Sequence, residues 1–375
     1  MVHVNPPVTL VIPGRNCAGT LRPCLEAVAR IAADGASGLR EVIFVDDGST
    51  DDTARIAQEF AARLGGLRIL TGIGGGPGAA RNLGWREAVH PLIWFIDSDC
   101  VAEPDALARL LPHMVDAQVG GVGGSYGNMR PDSLLACLIH EEILARHRSM
   151  ATEVNFLGGF NVLYRRVALE RAGGFDERYF NGPGSPGAED AELSFRVAAA
   201  GYGLRFEIAS RVRHFHPTSL RRYLRAQRHH GYWRVFLHLR YRDRAAGDDY
   251  SKWTDHVQPP LALFMISSTL VYAAAHLPRW LELVAGSSVA RSGSLSDAIR
   301  LIGPAAGGVV AVFALLLVVV QIPLTLRLLR QSGKWTYLAF APLGFIRAMW
   351  RAVGMVQGML AYPFRGPRRA GGGAR

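Results

Sequence analysis

The chain has 375 residues, of which 49% are hydrophobic and 19% are charged. This composition excludes intrinsic disorder and is unusually apolar for a purely soluble protein. The net charge of +11 is unevenly divided, because residues 1–204 hold 18 basic and 24 acidic groups and residues 205–375 hold 24 basic and 7 acidic groups. A chain divided in this way is not a uniformly basic nucleic-acid-binding protein, so we expect no nucleic-acid partner.

The four cysteines indicate neither a structural zinc site nor a disulfide framework. Cys17, Cys24, Cys100 and Cys137 are dispersed, and no pair of them has C-x-x-C spacing. Such thiols suit a reducing compartment. Residues 1–16 lack the basic start and the apolar run of a secretory signal peptide. We therefore expect the first domain to lie in the cytoplasm.

Short apolar runs in the first hundred residues predict buried strands at 8–12, 42–45 and 92–96. Each run is rich in β-branched or aromatic residues and ends in turn residues. Helical patterns lie between and beside the strands, at 19–33, 52–64 and 79–89. This alternation predicts an α/β fold with a mostly parallel sheet covered on both faces. Ligands of such sheets bind at the carboxyl ends of the strands.

Acidic pairs follow two of the predicted strands. Asp97 and Asp99 form a D-x-D pair after the third strand. Two carboxylates at one strand end suit Mg²⁺ or Mn²⁺, although a solvated turn with an Asp cap explains the pair as well. Asp46 and Asp47 follow the second strand and can accept hydrogen bonds from a nucleobase or a ribose. A helix cap explains the residues after them but not these two carboxylates.

Two further segments carry candidate chemistry. The glycine-rich segment 74–84 contains Gly78 and Arg81 and runs into a helix. Such a loop lets backbone N–H groups approach phosphate, and Arg81 can either pair with phosphate or tether the acidic cluster. Glu189 and Asp190 open another predicted helix. They are explained by the helix dipole or by a general base that deprotonates an acceptor hydroxyl.

The ordered set of motifs resembles the family 2 glycosyltransferases of the GT-A fold. Each motif alone is weakly specific, whereas their order and spacing over about residues 8–216 are specific. The matching strings are Val11-Ile12-Pro13, Asp46-Asp47-Gly48-Ser49, Gly76 to Gly84, Asp97-Ser98-Asp99, Gly173-Gly174-Phe175-Asp176 and Glu189-Asp190. The resemblance implies a GT-A catalytic domain over residues 1–216, a nucleotide-diphosphate-sugar donor and an inverting transfer.

The resemblance also implies roles for individual residues. Asp46 and Asp47 would bind base and ribose, and Asp190, beside Glu189, would be the catalytic base. The implied donor-binding residues are Pro13, Asp46, Asp47, Gly78, Arg81, Asp97 and Asp99. The residues that match the acceptor side are Gly158, Gly159 and Asn161.

The implied ligands of the Mg²⁺ or Mn²⁺ ion are Asp99, Asp97 and His214. Many members of the family have a histidine near the metal or the diphosphate, at a place similar to that of His214 and His216. His214 fits the V-x-H spacing better. The alternative for both histidines is a structural or surface role, and the sequence leaves open which of them would touch the metal.

Long apolar segments in the second half of the chain predict transmembrane helices. Residues 257–278 and 301–326 contain no Lys, Arg, Asp or Glu, and about 20 apolar residues span a bilayer core. A third segment, 335–364, carries Arg347 and Arg351 on one helical face and has basic residues at both flanks. Two arginines at mid-membrane are costly, so we expect this segment to be interfacial rather than spanning.

Basic segments flank these apolar helices. Residues 217–256 mix arginines with aromatic residues, which is typical of a helix on an anionic membrane surface, and a solvated basic face is the alternative. Residues 365–375 are expected to form a disordered basic tail. The expected location is the inner (cytoplasmic) membrane, with several spans, contact with membrane lipids and the catalytic domain facing the cytoplasm.

Together these features predict a metal-dependent glycosyltransferase that acts on a hydroxyl of a membrane-proximal or lipid-linked acceptor, in cell-surface polysaccharide or glycolipid synthesis. The Q-x-x-R-W motif of processive synthases is not reproduced at residues 227–233, and only two clear spans follow. Transfer of a single sugar is therefore favoured over processive synthesis. A polyprenyl-monophosphate glycosyltransferase is the nearest alternative. A sugar nucleotidyltransferase and a non-catalytic membrane-bound binding module fit the motifs less well.

Overall fold

The computed structural model describes residues 5–61, 63–180, 187–242, 248–285 and 294–365, with the backbone alone at 278–285 and 294–304. The predicted basic tail lies outside the described residues from residue 366 onward. The strands are β1 (Val8–Gly14), β2 (Leu39–Asp46), β3 (Leu67–Thr71), β4 (Leu92–Ile96), β5 (Cys100–Ala102), β6 (Val119–Asn128), β7 (Glu153–Val154), β8 (Asn161–Arg165) and β9 (Gly203–His214). The helices are α1 (Ala18–Ala33), α2 (Thr53–Ala61), α3 (Pro77–Glu87), α4 (Ala106–Leu110), α5 (Leu134–His147), α6 (Arg166–Ala172), α7 (Glu189–Ala199), α8 (Leu220–Arg240), α9 (Trp253–Ala285), α10 (Ser294–Ser332) and α11 (Phe340–Arg365).

The strands form a mixed sheet in the order β3-β2-β1-β4-β8-β6-β9-β5, with β7 paired to β9. The half made of β3, β2, β1 and β4 is entirely parallel. β8 runs antiparallel to both β4 and β6, and β9 returns parallel to β6. The predicted α/β architecture is confirmed, and its parallel part is the half that the apolar runs predicted.

Both faces of the parallel half are covered, as the continuous apolar strands predicted. In β1, Leu10 and Ile12 belong to the apolar core that includes α1 and α2. Val11, between them, belongs to a second core on the other face, which includes Ala80 of α3 and Leu193 of α7. This two-layer packing fixes the carboxyl ends of β1, β2 and β4 at one edge of the sheet, where the acidic clusters lie.

Two of the helices among the described residues are long and apolar enough to cross a membrane, by length and composition. They cover Trp253–Leu277 in α9 and Ala305–Ser332 in α10, close to the predicted spans at 257–278 and 301–326. The two helices pack against each other, and α11 packs chiefly against α8.

Arg347 and Arg351 of α11 face the protein. Arg347 is 2% exposed and pairs with Glu142 of α5. Arg351 pairs with Asp255 at 2.9 Å and donates a hydrogen bond to Gln227 of α8 at 2.8 Å. Segment 335–364 is thus joined by buried polar contacts to the catalytic domain and to α8, and its interfacial position stays a prediction.

Candidate active site

The acidic pair after β2 organises the loops at the sheet edge. Asp46 accepts a hydrogen bond from the backbone N–H of Ser49 at 2.9 Å. Asp47 is 4% exposed, and its carboxylate accepts N–H bonds from Gly74 at 2.9 Å and Gly76 at 2.7 Å. Both glycines have positive φ, of 79° and 95°, which a side chain would strain. The glycine-rich loop is therefore clamped onto the end of β2, beside the predicted nucleoside site.

Arg81 of α3 joins the acidic residues that follow β4 to those that begin α7. One terminal nitrogen donates to Asp97 Oδ1 at 2.7 Å, and the other donates to Glu189 Oε1 at 3.1 Å. Arg81 is 4% exposed, and its guanidinium lies over the ring of Phe175, 5.5 Å from the centroid. A bidentate bridge of this kind needs the planar fork of arginine. Arg81 thus tethers the acidic cluster, and its pairing with phosphate stays a prediction.

Two carboxyl groups that Arg81 contacts, those of Asp97 and Glu189, have raised pKa values. Burial raises the pKa of Asp97, and the neighbouring Asp99 adds to this effect while Arg81 opposes it. Burial and the adjacent Asp190 raise the pKa of Glu189 to about 7, again against the opposing charge of Arg81. Groups of this kind are typical of active sites, where burial and like charges are tolerated for function.

Asp190 begins α7 next to Glu189 and is only partly buried. Its Oδ1 accepts the N–H of Ala191 at 2.8 Å, and its Oδ2 lies 3.4 Å from the N–H of Gly159. Burial raises the pKa of Asp190, although these two N–H groups and Arg81 oppose the rise. Glu189 is closed in by Arg81 and by the N–H of Gly187 at 2.8 Å, so Asp190 is the more exposed carboxylate of this pair.

A candidate metal site lies at the other end of the cluster. Asp99, Cys100 and His214 offer ligand atoms that all lie within 4.8 Å of one another. His214 Nε2 is 3.1 Å from Asp99 Oδ2, and His214 Nδ1 is 2.9 Å from Nδ1 of His216. The charge of His214 and its hydrogen bond outweigh the effect of burial and lower the pKa of Asp99. His214, rather than His216, is the histidine that faces Asp99, and Asp97 is held by Arg81.

The other predicted residues lie at different depths. Gly159 contacts the cluster, since a Cβ there would lie 3.1 Å from the Arg81 guanidinium, and Gly158 precedes it on the same loop. Pro13 and Gly78 are buried, near the carboxyl end of β1 and in the first turn of α3. Asn161 is fully buried, where Trp94 Nε1 donates to it at 2.9 Å and it donates to Ser210 Oγ at 3.1 Å. These contacts place the Asn161 side chain inside the sheet, away from the cluster of carboxylates.

Residues 9–173 match the profile of "Glycosyl transferase family 2", and residues 92–362 match that of "Glycosyl transferase family group 2". The second match covers well over half of the chain. The chain belongs to the family 2 glycosyltransferases.

Relatives of known name are distant. A pre-mycofactocin glycosyltransferase of Mycobacterium tuberculosis is 28% identical over 269 residues, which cover 66% of this chain and 52% of the relative. Glycosyltransferase AglE of Haloferax volcanii is 27% identical over 208 residues, which cover 55% of this chain and 66% of the relative. The chain thus spans about half of the first relative's length and about two thirds of the second's.

A solved structure shares the fold over nearly the whole chain. The mannosyltransferase PcManGT from Pyrobaculum calidifontis, in complex with GDP-Man and Mn²⁺, superposes with a TM-score of 0.54. The match covers 95% of this chain and 88% of that chain at 18% sequence identity. The predicted GT-A fold is confirmed by this likeness together with the family match.

The candidate site also contains Tyr126, which the motifs did not reveal. Tyr126, on β6, stacks on Phe160 with ring centroids 3.6 Å apart, and its ring lies 5.0 Å from that of His214. His216 is 3% exposed, and burial lowers its pKa to about 3. It therefore stays neutral and can accept a hydrogen bond from His214. Only the pairing of β6 with β9 brings Tyr126 to His214, and no local motif signals it.

Proposed function

We propose that this chain is a metal-dependent, inverting glycosyltransferase that moves a sugar from a nucleotide-diphosphate sugar to an acceptor hydroxyl. The observation that carries the proposal is the Arg81 bridge between Asp97 and Glu189. It joins the D-x-D carboxylates, which follow β4, to the start of α7, where Asp190 lies. One guanidinium thereby fixes the donor-side cluster relative to the start of α7, and a fixed geometry of this kind supports a transfer reaction.

Asp190 is the proposed base. Its raised pKa brings it nearer to neutral pH, which makes a carboxylate a more effective proton acceptor. As the acceptor oxygen attacks C1 of the sugar, the bond from C1 to the diphosphate breaks and the hydroxyl proton passes to Asp190. Attack from the face opposite the leaving group inverts the anomeric centre, and no covalent enzyme intermediate is needed. Glu189 acts as a positioning residue, because its contacts hold Arg81.

Asp99 and His214 fit a divalent ion. Their ligand atoms face each other, and the second ring nitrogen of His214 is held by His216, as is usual for histidines that bind metals. A carboxylate oxygen combined with an imidazole nitrogen favours Mn²⁺ over Mg²⁺, which demands oxygen ligands. When bound, such an ion supplies positive charge that stabilises the diphosphate leaving group. The complex of PcManGT with GDP-Man and Mn²⁺ supports the use of a divalent ion.

The donor site is proposed at the ends of β1 and β2. Asp46, Asp47 and the clamped glycine loop would form one side of this site, with Pro13, Gly78 and Arg81 close to it. Asp46 has an oxygen that no described contact uses and would accept a hydrogen bond from the base or ribose. Gly158 and Gly159 are proposed to line the acceptor side, because Gly159 contacts both Arg81 and Asp190.

The acceptor is proposed to be lipid-linked or membrane-proximal, in cell-surface polysaccharide or glycolipid synthesis. The support is the pair of apolar helices, Trp253–Leu277 and Ala305–Ser332, which adjoin the catalytic domain. The basic residues concentrate on the ends of these helices nearest that domain, and by the positive-inside rule this end faces the cytoplasm. We therefore propose that the protein lies in the inner membrane with several spans and with its catalytic domain in the cytoplasm. We propose further that it adds one sugar per encounter with the acceptor.

The test is donor hydrolysis and donor binding by the full chain purified in detergent. A panel of UDP-, GDP- and dTDP-sugars with Mn²⁺ or Mg²⁺ is compared with the Asp99→Asn variant and with Asp105→Asn, an exposed aspartate as matched control. We expect metal-dependent release of one nucleotide, lost in Asp99→Asn and kept in Asp105→Asn. If no donor is hydrolysed and none shifts the melting temperature, the proposed function is wrong.

A further inference from the structure

A cavity of about 430 Å³ lies where the catalytic domain meets the apolar helices. Its walls come from four helices, α5, α9, α10 and α11. It is separate from the residues of the candidate active site, since neither the acidic cluster nor His214 lines it. The side chains that line the cavity thus have no role in the proposed transfer reaction.

The walls of this cavity are strongly cationic. The charged groups that line it are Glu142, Arg146, Lys252, Arg327 and Arg347. The two oxygens of Glu142 are engaged by Arg146 and Arg347, which neutralises the one carboxylate. Among the described residues, Lys252 and Arg327 form no ion pair. The acidic residue in the first turn of α9, Asp255, is paired with Arg146 and Arg351. The excess of positive charge that faces the cavity therefore comes chiefly from Lys252 and Arg327.

Buried polar atoms in the cavity wall have no partner within the described chain. These atoms are Oε1 of Gln258, Nε2 of Gln321 and Nε of Arg347, in side chains that are 3%, 2% and 2% exposed. Buried polar groups are nearly always hydrogen-bonded, and leaving them unpaired is costly. Two of the atoms are donors and one is an acceptor, so a matching ligand offers acceptor oxygens together with a donor such as a hydroxyl group. The cations of the wall favour acceptor oxygens that carry negative charge.

The remaining wall is apolar. Val320, Pro323 and Leu324 of α10 line the cavity, and the neighbouring Ile322 and Leu326 are exposed on the same helix. A ligand that places an anion among the cations can therefore run an apolar chain along α10. The position, near the basic end of both candidate spans, is the depth at which lipid head groups lie.

We propose that this cavity binds the phosphate head group of an anionic membrane lipid, with its acyl chains along α10. The phosphate oxygens accept from Gln321, Arg347 and Arg327, and a head-group hydroxyl donates to Gln258. The placement in a membrane rests on the function proposed above, whereas the cations and the unpaired amides are independent of it.

The test is lipid binding by the detergent-purified full chain, measured by native mass spectrometry. The probes are phosphatidylglycerol, zwitterionic phosphatidylcholine and undecaprenyl phosphate. We expect one phosphatidylglycerol to bind about tenfold more tightly than phosphatidylcholine, and Arg327→Gln to weaken it by about tenfold. Arg330→Gln removes an exposed cation from the same helix outside the cavity and serves as the matched control.

Gln258→Leu separates binding from folding. Replacing an unpaired buried amide by an apolar group of similar shape is neutral or stabilising, so this variant should melt no lower than the wild-type chain while losing phosphatidylglycerol affinity. Displacement by undecaprenyl phosphate that depends on the same residues would support the site and identify a polyprenyl lipid as its source. The proposal is overturned if the two phospholipids bind equally, or if Arg330→Gln weakens binding as much as Arg327→Gln. Because no sugar donor is used, these results are independent of whether glycosyl transfer occurs.

Discussion

His214 Nε2 lies 3.1 Å from Asp99 Oδ2, although the two residues are 115 positions apart in the chain. The sheet creates this proximity, because β5 pairs antiparallel with β9 and sets Cys100 opposite His214. Asp99 precedes Cys100, so its carboxylate meets the imidazole at the end of the strand. The candidate metal site is thus a product of strand pairing at the edge that carries the acidic clusters.

We expect Asp99→Asn to lower metal-dependent transfer by about 100-fold, because the amide lacks the charge that binds the ion. His214→Gln should raise the Mn²⁺ concentration needed for half-maximal rate. The measurement is a metal titration of transfer by each variant. Equal metal requirements in wild type and His214→Gln would remove this histidine from the metal site.

Arg81→Met should abolish transfer and lower the melting temperature by about 10 °C, because it leaves Asp97 and Glu189 without their buried partner. Arg81→Lys should keep little of the transfer activity, since one ammonium cannot bridge two carboxylates with the geometry of a guanidinium. Arg86→Met, on the same helix, removes an exposed arginine paired with Glu177 and is the control. If Arg81→Met and Arg86→Met have the same melting temperature, the bridge does not stabilise the fold.

Asp190→Asn should reduce kcat by a factor of about 100 or more while donor affinity changes little. A general base must be unprotonated, so kcat/KM of the wild type should rise with pH through the raised pKa of Asp190. The pH profile of the residual activity in Asp190→Asn should lose that rise. Glu170→Gln, at an exposed carboxylate, is the control. A small loss of rate would instead favour an acceptor phosphate, which needs little base catalysis.

Glu189 should make stability depend on pH. Burial raises its pKa from 4.5 to about 7 in the folded chain, so the folded state holds this proton more tightly than the unfolded state. Folding stability therefore falls as the pH rises from about 4.5 to about 7 and then levels. We expect the melting temperature of Glu189→Gln, relative to wild type, to rise across this interval. A constant difference across the interval would show that Glu189 does not titrate there.

The position of α11 can be tested by cysteine labelling in spheroplasts. Trp335 and Phe364, at opposite ends of segment 335–364, are 78% and 88% exposed. If the segment is interfacial, Trp335→Cys and Phe364→Cys should both resist an impermeant thiol reagent until the membrane is opened. Leu277→Cys, at the far end of the first candidate span, should react from outside. Labelling of only one of the α11 positions from outside would mean that the segment crosses the membrane.

Parts of this fold were predictable because their signals are local. β1, β2 and β4 are continuous apolar runs between turn residues, and the structure extends them by no more than three residues at either end. β6 was not predicted, because its sequence VGGVGGSYGN has the small residues of a turn rather than the pattern of a strand. Its glycines fit because Tyr164 and Leu157 pack where side chains would otherwise lie.

The candidate site likewise has residues that local motifs predict and residues that only the tertiary structure brings together. The acidic pairs and Arg81 follow strand ends or begin helices, so their motifs placed them near one edge. Asn161 is next to the matching glycines in sequence, but the alternation of β8 turns its side chain into the sheet, where Trp94 and Ser210 bind it. Tyr126 reaches His214 only through the pairing of β6 with β9, which a single sequence does not specify.

The most direct test of the central claim is transfer of labelled sugar to the lipid fraction of membranes that contain the full chain. The donor is the one identified by the hydrolysis panel, and the comparison is among wild type, Asp99→Asn and Asp190→Asn. We expect label in the lipid fraction with wild type alone, while Asp190→Asn still binds the donor. Equal transfer by the variants, or no transfer by a wild-type chain that binds donor and metal, would contradict it.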